Sequence, residues 1–489
     1  AAGAKSAVFT GGRLTVEDAY SYAKFARSVL GTDNIDFRSR AASAEEVNFL
    51  GAEVAGRFDG VTYADLEKAP VVLLVDLEPE DESPIVFLRL RKASRRGLRV
   101  ASVAPFASAG LEKLNGTLLM AAPGEQPALL SALANDTADG SHGDIARLLR
   151  QAGAVIAVGE RAAQTPGTLS AVSALASATG ARIAWIPRRA GERGALDVGA
   201  LAGLLPGGRP LDNDEARTQV AGQWGVAASA LPTSTGLSLA EVVAAVHADD
   251  EAIANATDPS KVERNIEALL IAGVESGDLA DPAAFLGALD SVFVVSLEQR
   301  HSEVTQRADV VLPIAAVAEK TGSFTNWEGR TQTFGQVLRG SLTLSDARVL
   351  SMIAADMGAP IVSADVSEIR AEIRQIGPWS GARIEAASQM SVDAPVLAAG
   401  EAVVASWRPL LDRGVLQEGD PYLAATARPV VARLSRATAQ AAGATDVVVV
   451  STDTGSCELP LVVTQMPDGV IWLALNSEGS TIRSTLGVG

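Results

Sequence analysis

Asn326, Glu328 and Arg330 alternate within the stretch 308–332, ADVVLPIAAVAEKTGSFTNWEGRTQ, and carry an amide, a carboxylate and a guanidinium. With Ser323 and Thr325 they supply hydrogen-bond donors and acceptors, while Gly322, Gly329 and Gly335 permit positive φ and close backbone approach. Such a set suits polar recognition. No Ser-His-Asp or Cys-His nucleophile arrangement accompanies it. Glu319 and Glu328 do not make a glycosidase pair, because sequence spacing does not reveal the distance between two carboxylates.

Thiol and imidazole chemistry is sparse. Cys457 is the single cysteine, so no intramolecular disulfide forms, and an iron–sulfur cluster, which takes about four thiolates, is not expected within this chain. Cys457 falls in the final β-rich unit, where packing or an inert thiol is expected. His142, His247 and His301 lie far apart without helical or hairpin ligand spacing, so no zinc site is predicted.

The elements that position the polar stretch are readable around it. Asp309–Leu312 is an apolar β-type run closed by Pro313 and is expected to be a buried strand, followed by a helical turn over 315–318 and then a loop. In open α/β sheets such loops form the ligand crevice. At the other end of the chain, Ala7–Thr10 reads as a strand. Thr15 is its following helix's N-cap with Asp18 at the capping-box position, and Ala19, Tyr22, Ala23, Ala26 and Leu30 share one face before Gly31. The glycine spacing is not that of a dinucleotide fingerprint, and helix-to-sheet packing is the expected role.

The alternation continues. Val71–Val75 reads as a strand covered on both faces, 76–82 as an acidic loop, and Ser83-Pro84 as the start of a helix running to about Arg96. Arg91, Lys92, Arg95 and Arg96 complement that helix's negative end and are solvated; gripping a nucleotide phosphate is the competing reading. Strands are predicted at 98–103, 117–120, 154–158, 182–186, 269–274 and 292–296, with helices near 127–134, 144–151 and 169–178. The expectation is an α/β chain with doubly wound, mainly parallel sheets. The Gly-, Arg- and Pro-rich excursion 187–210 is expected to be an interaction or crevice-lining loop rather than core.

Three regions are expected: an α/β region over 1–362, a linker over 363–400 rich in Ala, Ser and Asp, and a small β-rich domain over 401–489 with strands at 447–450, 459–463 and 470–475. With 489 residues and 47% apolar content the chain buries a large core. A net charge of −17 disfavours nucleic acid and anionic lipid surfaces as partners. No apolar run approaches the ~18 residues of a membrane span, so no direct membrane insertion is expected.

Asp-Val-Val-Leu-Pro followed by Glu319, Gly322, Asn326, Glu328-Gly329-Arg330 and Gln332 resembles the signature of the molybdopterin oxidoreductase superfamily. Two further stretches, AVFTGGRLTVEDAYSYAKFARSVLGTDNIDFRSR (7–40) and WIPRRAGERGALDVGALAGLLPGGRP (185–210), resemble its branch formed by the large iron-sulfur subunits of bacterial NADH-quinone oxidoreductase, complex I. The chain opens Ala1-Ala2-Gly3-Ala4-Lys5 without an initiator methionine or signal-peptide pattern, and is expected to be the C-terminal, molybdopterin oxidoreductase-like portion of such a large subunit.

The resemblance implies a structural role with no catalytic residue and no cofactor in this segment. It also implies iron–sulfur clusters in a region preceding the segment, and other peripheral-arm subunits of complex I as partners. The whole would sit peripherally on the cytoplasmic side of the plasma membrane, and the C-terminal unit would be a reduced β-barrel domain. The alternative in the same superfamily is an oxidoreductase dependent on molybdenum bis-pterin guanine dinucleotide, such as a formate-dehydrogenase-like enzyme. It would hold its metal through pterin dithiolenes and usually one protein ligand, and would set Asn326, Glu328, Gly329 and Arg330 against the pterin.

Overall fold

The computed structural model describes residues 5–387 and 397–489. They form two compact units, each assembled from separated segments: the chain up to Arg40 with Leu50–Asp59 and Arg189–Glu385, and Ala41–Phe49 with Gly60–Arg188 and Ala386–Gly489.

In the first unit, five strands lie in the order Val310–Pro313, Phe293–Glu298, Ala268–Ala272, Ser6–Thr10 and Ile35–Asp36, all neighbours parallel. The chain starts inside the sheet, runs to one edge and returns to build the other, the doubly wound pattern that the alternation predicted. Phe9 pairs with Ile271, and both lie in a core with Val246, Leu269, Phe285 and Val294. The strand leading into the polar stretch is not buried as expected. Val310–Pro313 is an edge strand with Val310 and Val311 exposed, whereas Ile35–Asp36 at the other edge is buried, so the faces of the sheet are left uncovered at the Val310–Pro313 end.

The helix Val16–Phe25 starts where predicted, with the Thr15 hydroxyl accepting from Asp18 N at 3.2 Å, and the chain continues through a wider turn, Ala26–Leu30, to Gly31 at φ +70°. Its apolar face was expected to be the buried one, yet every residue from Val16 to Phe25 is buried. Polar positions tolerate this because each charge is matched: Lys24 Nζ lies 2.7 Å from Glu372, while Glu17 and Asp18 have the partners described below.

The excursion after Pro187 is also corrected. From Arg189 onward it packs into the first unit, with the helix Glu192–Asp197 and the strand pair Leu204–Leu205 and Arg209–Pro210. Arg27, fully buried, donates to the carbonyls of Gly199 (2.7 Å), Leu201 (3.0 Å) and Leu204 (2.8 Å), and Asp33 accepts from Gly203 N (2.7 Å). Those bonds satisfy irregular backbone that otherwise would have to face water. The expected linker begins with a helix, Val366–Ile376, capped by Asp365, which accepts from Ser367 N (2.7 Å) and Glu368 N (3.0 Å). Residues 388–396 of it lie outside the described residues.

The second unit carries a parallel sheet in the order Thr117–Met120, Arg99–Ala104, Val71–Val75, Val155–Gly159 and Arg182–Ile186. Val71–Val75 is buried at all positions, as continuous VVLLV requires of a strand covered on both faces. The acidic segment expected as a loop contains one helical turn, Pro79–Glu82, before the helix Pro84–Ser94. Near the C-terminus a second, mixed sheet runs Val403–Trp407, Val470–Ala474, Ala432–Leu434, Ser456–Val463 and Val447–Ser451. It is an open sheet with Val403–Trp407 and Val447–Ser451 at its edges rather than a closed barrel.

Candidate functional site

The polar stretch folds as a hairpin, not an irregular loop. Gly322–Thr325 pairs antiparallel with Thr331–Phe334, Phe324 stacks on Phe334 (centroids 5.6 Å apart), and Asn326–Arg330 makes the turn. Asn326 closes it: its N donates to Arg330 O (3.0 Å), its Oδ1 accepts from Glu328 N (3.1 Å) and Arg330 N (3.0 Å), and its Nδ2 donates to Glu328 Oε2 (2.7 Å). Gly329 sits at φ +80°, and a Cβ there would meet Arg193 Nη2 at 3.2 Å and Arg57 O at 3.3 Å. Arg193 also donates to Trp327 O (3.1 Å) and pairs with Asp197 (2.9 Å). Asn326, Glu328 and Gly329 are therefore brought together inside one self-bonded turn, and the Arg330 side chain is exposed.

Beneath the hairpin lies an ionic cluster that the sequence reading missed. Lys320 Nζ stands 2.7 Å from Asp18 and 2.8 Å from Asp346; Tyr22 donates its hydroxyl to Asp346 (3.0 Å) and Thr15 donates to Asp18 (2.7 Å). Burial alone would lower the Lys320 pKa, but Asp18 and Asp346 outweigh it and hold the ammonium above its usual range. Burial, then Asp18, pushes the Asp346 carboxyl up. Glu17 accepts from both the N and the hydroxyl of Ser323 (2.8 Å each) and from Arg370 (2.6 Å). This cluster ties the hairpin to the helix Val16–Phe25 and pairs its charges with one another.

In a doubly wound sheet a ligand crevice opens beyond the carboxyl ends of the strands where the winding reverses. In the first unit that point lies between Ser6–Thr10 and Ala268–Ala272. Gly11 N donates to Ala272 O (2.7 Å), and a Cβ on Gly11 would stand 2.0 Å from Gly273 O, so the two exits abut. Beyond them, Arg189 pairs with Glu192 (2.9 Å) and Asp278, Arg40 reaches Glu192 (3.4 Å), and Arg13 pairs with Glu275. Arg189, Glu192, Asp278 and Arg40 are all buried. Side chains of the chain itself fill the crevice, and the residues present do not fit a bis-pterin there.

The equivalent point in the second unit is acidic. Asp76, at φ +46°, and Glu78 follow Val71–Val75, with Glu80, Asp81 and Glu82 in the next turn. Arg161 is held by Glu82 (2.8 Å), lies 4.0 Å from Asp76 and covers the Trp407 ring. The cavity they line, with Ser102, Phe106 and Ser108, has room for about one water molecule. Burial pushes the Asp76 carboxyl up against the pull of Arg161, and pushes Glu78 to about 7, the Ser108 hydroxyl opposing and Asp81 adding to it. A nucleotide phosphate would meet carboxylates here.

Cys457 lies half-buried in the strand Ser456–Val463, and burial raises its pKa. His247 Nε2 bonds Ala284 O at 2.8 Å. Among the described residues no group of His, Cys, Asp and Glu is arranged to hold a metal ion, and no helix is long and apolar enough to cross a membrane.

Fold and segment together define the class: the chain belongs to the molybdopterin oxidoreductase family, whose sequence profile matches residues 2–343. Within it, the chain is 53% identical over 496 residues to the G subunit of NADH-quinone oxidoreductase from Mycobacterium bovis, covering 100% of this chain and 58% of that protein. It is 50% identical over 508 residues to the corresponding G subunit of Streptomyces coelicolor, covering 99% and 58%. Formate dehydrogenase H of Escherichia coli is 24% identical over 413 residues, 74% of this chain and 55% of that one. The chain thus spans somewhat more than half the length of the two G subunits. Among solved structures, acetylene hydratase from Pelobacter acetylenicus superposes with a TM-score of 0.61 at 15% identity, covering 96% of this chain and 79% of that one, a likeness of fold alone.

Proposed function

We propose that this chain is the molybdopterin oxidoreductase-like part of the large peripheral-arm subunit of a proton-pumping NADH-quinone oxidoreductase. Its work there is structural: it supports a cluster-bearing region and neighbouring peripheral-arm subunits while electrons pass from NADH to quinone elsewhere, on the cytoplasmic side of the plasma membrane. The observation that carries the reading is the first unit's winding-reversal point, where Arg189, Glu192, Asp278 and Arg40 form a buried ionic plug in the place a ligand would take. The self-bonded turn at Asn326, Glu328, Gly329 and Arg330 supports it, since those groups satisfy one another rather than a pterin. Identity of 50–53% to the two G subunits over essentially the whole chain agrees.

The test is elemental analysis with a visible spectrum on the assembly purified through this chain. NADH-quinone reductase subunits and iron are expected to co-purify, with no stoichiometric molybdenum. About one molybdenum per chain overturns the structural reading in favour of the bis-pterin enzyme, and purification without any respiratory subunit overturns the complex.

A further inference from the structure

In the second unit the two ends of the parallel sheet carry opposite charge. The carboxyl ends hold the acidic segment Asp76–Glu82, whereas the amino end of Arg99–Ala104 and the helix before it hold Arg89, Arg91, Lys92, Arg95, Arg96 and Arg99. Six cations in eleven residues are unusual in a chain whose Asp and Glu number 58 against 41 Lys and Arg. Local chemistry explains only some of them. Glu67 holds Arg89 and Lys92, each at 2.7 Å, and the negative end of the helix Pro84–Ser94 favours one or two cations in its last turn. Arg95, Arg96 and Arg99 are exposed, and among the described residues no carboxylate pairs with them.

The same helix buries Val86, Phe87, Leu90 and Ala93 against its own unit and turns Ile85, 55% exposed, and Leu88, 54% exposed, outward. Ile85, Leu88, Arg89 and Lys92 stand at i, i+3, i+4 and i+7, so an apolar turn and a basic turn share one outward face. Water is a poor home for Ile85 and Leu88, and mutual repulsion disfavours the adjoining Arg95, Arg96 and Arg99, which Glu67 does not reach. One covering would relieve both: apolar side chains flanked by carboxylates.

We propose that the outward face of the helix Pro84–Ser94, with Arg95, Arg96 and Arg99, is a docking surface for an acidic, amphipathic segment of another polypeptide, whose apolar side chains cover Ile85 and Leu88. Charge complementarity selects this occupant. An anionic bilayer is repelled by the rest of a −17 chain, and two apolar side chains offer little insertion. A free nucleotide or phosphate is the occupant of the carboxyl ends of such a sheet, whereas Arg95, Arg96 and Arg99 lie at the amino end. The inference goes beyond the structural role proposed above and holds whichever assembly contains the chain.

The test uses the full chain and a fluorescein-labelled helical peptide with leucines on one face and glutamates on the other, read by anisotropy. Binding is expected, weakening with salt as surface charges are screened. Arg95→Glu/Arg96→Glu/Arg99→Glu should weaken it on the order of tenfold or more, and the milder Gln triple by less; Leu88→Ser should weaken it without changing the salt slope. Equal affinity for the wild type and a Gln triple with an unchanged unfolding midpoint overturns the proposal. So does equal binding of the same peptide with lysines for glutamates, displacement by inorganic phosphate beyond what chloride causes at the same ionic strength, or pelleting with equimolar phosphatidylcholine–phosphatidylglycerol vesicles in place of peptide binding.

Discussion

Lys320 Nζ lies 2.7 Å from Asp18 Oδ2, joining a residue just before the hairpin to the first turn of a helix near the start of the chain. Both side chains are almost wholly buried, as is Asp346 on the other side of the ammonium. Removing one partner of such a cluster leaves uncompensated charge in the interior, which costs more than the pair contributes when intact. Lys320→Met is therefore expected to destabilise the protein by about 3–5 kcal/mol in urea unfolding. A loss below about 1 kcal/mol would mean that water reaches Asp18 and Asp346 and that the cluster is not what anchors the hairpin.

Gly329 makes the second prediction. Its φ of +80° is costly for a β-branched residue, and the added carbons would press on Arg193 and the Arg57 carbonyl. Gly329→Val should lower stability by about 2 kcal/mol or more. Glu328→Gln keeps the shape of the turn and touches no proposed reacting group. Turnover per assembled NADH-quinone reductase is expected to be unchanged in it, and reduced in Gly329→Val only through lost assembly. A drop in turnover of roughly a hundredfold, with normal assembly of Glu328→Gln, would make the hairpin an active-site element.

Legibility in the sequence followed the range of the interactions. Val71–Val75, Thr117–Met120 and Arg182–Ile186 were readable to the residue because short, largely apolar runs between turn signals specify a strand locally, although only Val71–Val75 is buried at every position. The segment after Arg189 was misread as a surface excursion because what buries it, Arg27, lies 172 to 177 positions away from the carbonyls it satisfies. Asp18 was visible only as a capping residue for the same reason: Lys320 and Asp346, which surround it in space, lie far from it in sequence. The hairpin did have a local signal. GSFT and TQTF flank a five-residue turn with Gly329 in its fourth place, a pattern that permits pairing. Its glycines drew attention to ligand approach instead.

Cys457 pairs across the sheet with Val450 and packs, half-buried, against the core around Leu434 and Leu473. Burial keeps its thiol protonated at neutral pH. Cys457→Ser is expected to cost on the order of 1–2 kcal/mol of stability at most and to leave assembled activity intact. Complete loss of activity in a folded variant would place a redox step at this thiol.

The last prediction concerns Glu78, whose carboxyl lies beside Asp76, Asp81 and Glu82, near Arg161, and accepts from Glu80 N and the Ser108 hydroxyl. Helix packing presses on it: a Cβ on Gly110 would stand 2.2 Å from Glu78 Oε1. Burial raises its pKa from 4.5 to about 7, and Arg161 is engaged with Glu82. The folded chain therefore binds this proton more tightly than the unfolded chain does. The resulting stability is fully present below about pH 4.5 and is lost as pH rises through about 7, amounting to about 3 kcal/mol when the loss is complete. Asp76, Asp81 and Glu82 are shifted in the same direction, so a variant at Glu78 alone removes one share of the pH dependence and not all of it. Glu78→Gln, neutral at every pH, should remove that share, and its unfolding free energy should fall less steeply than that of the wild type over the same interval. Parallel stability–pH curves for the two proteins would show that Glu78 is solvated and ionises as it does in the unfolded chain.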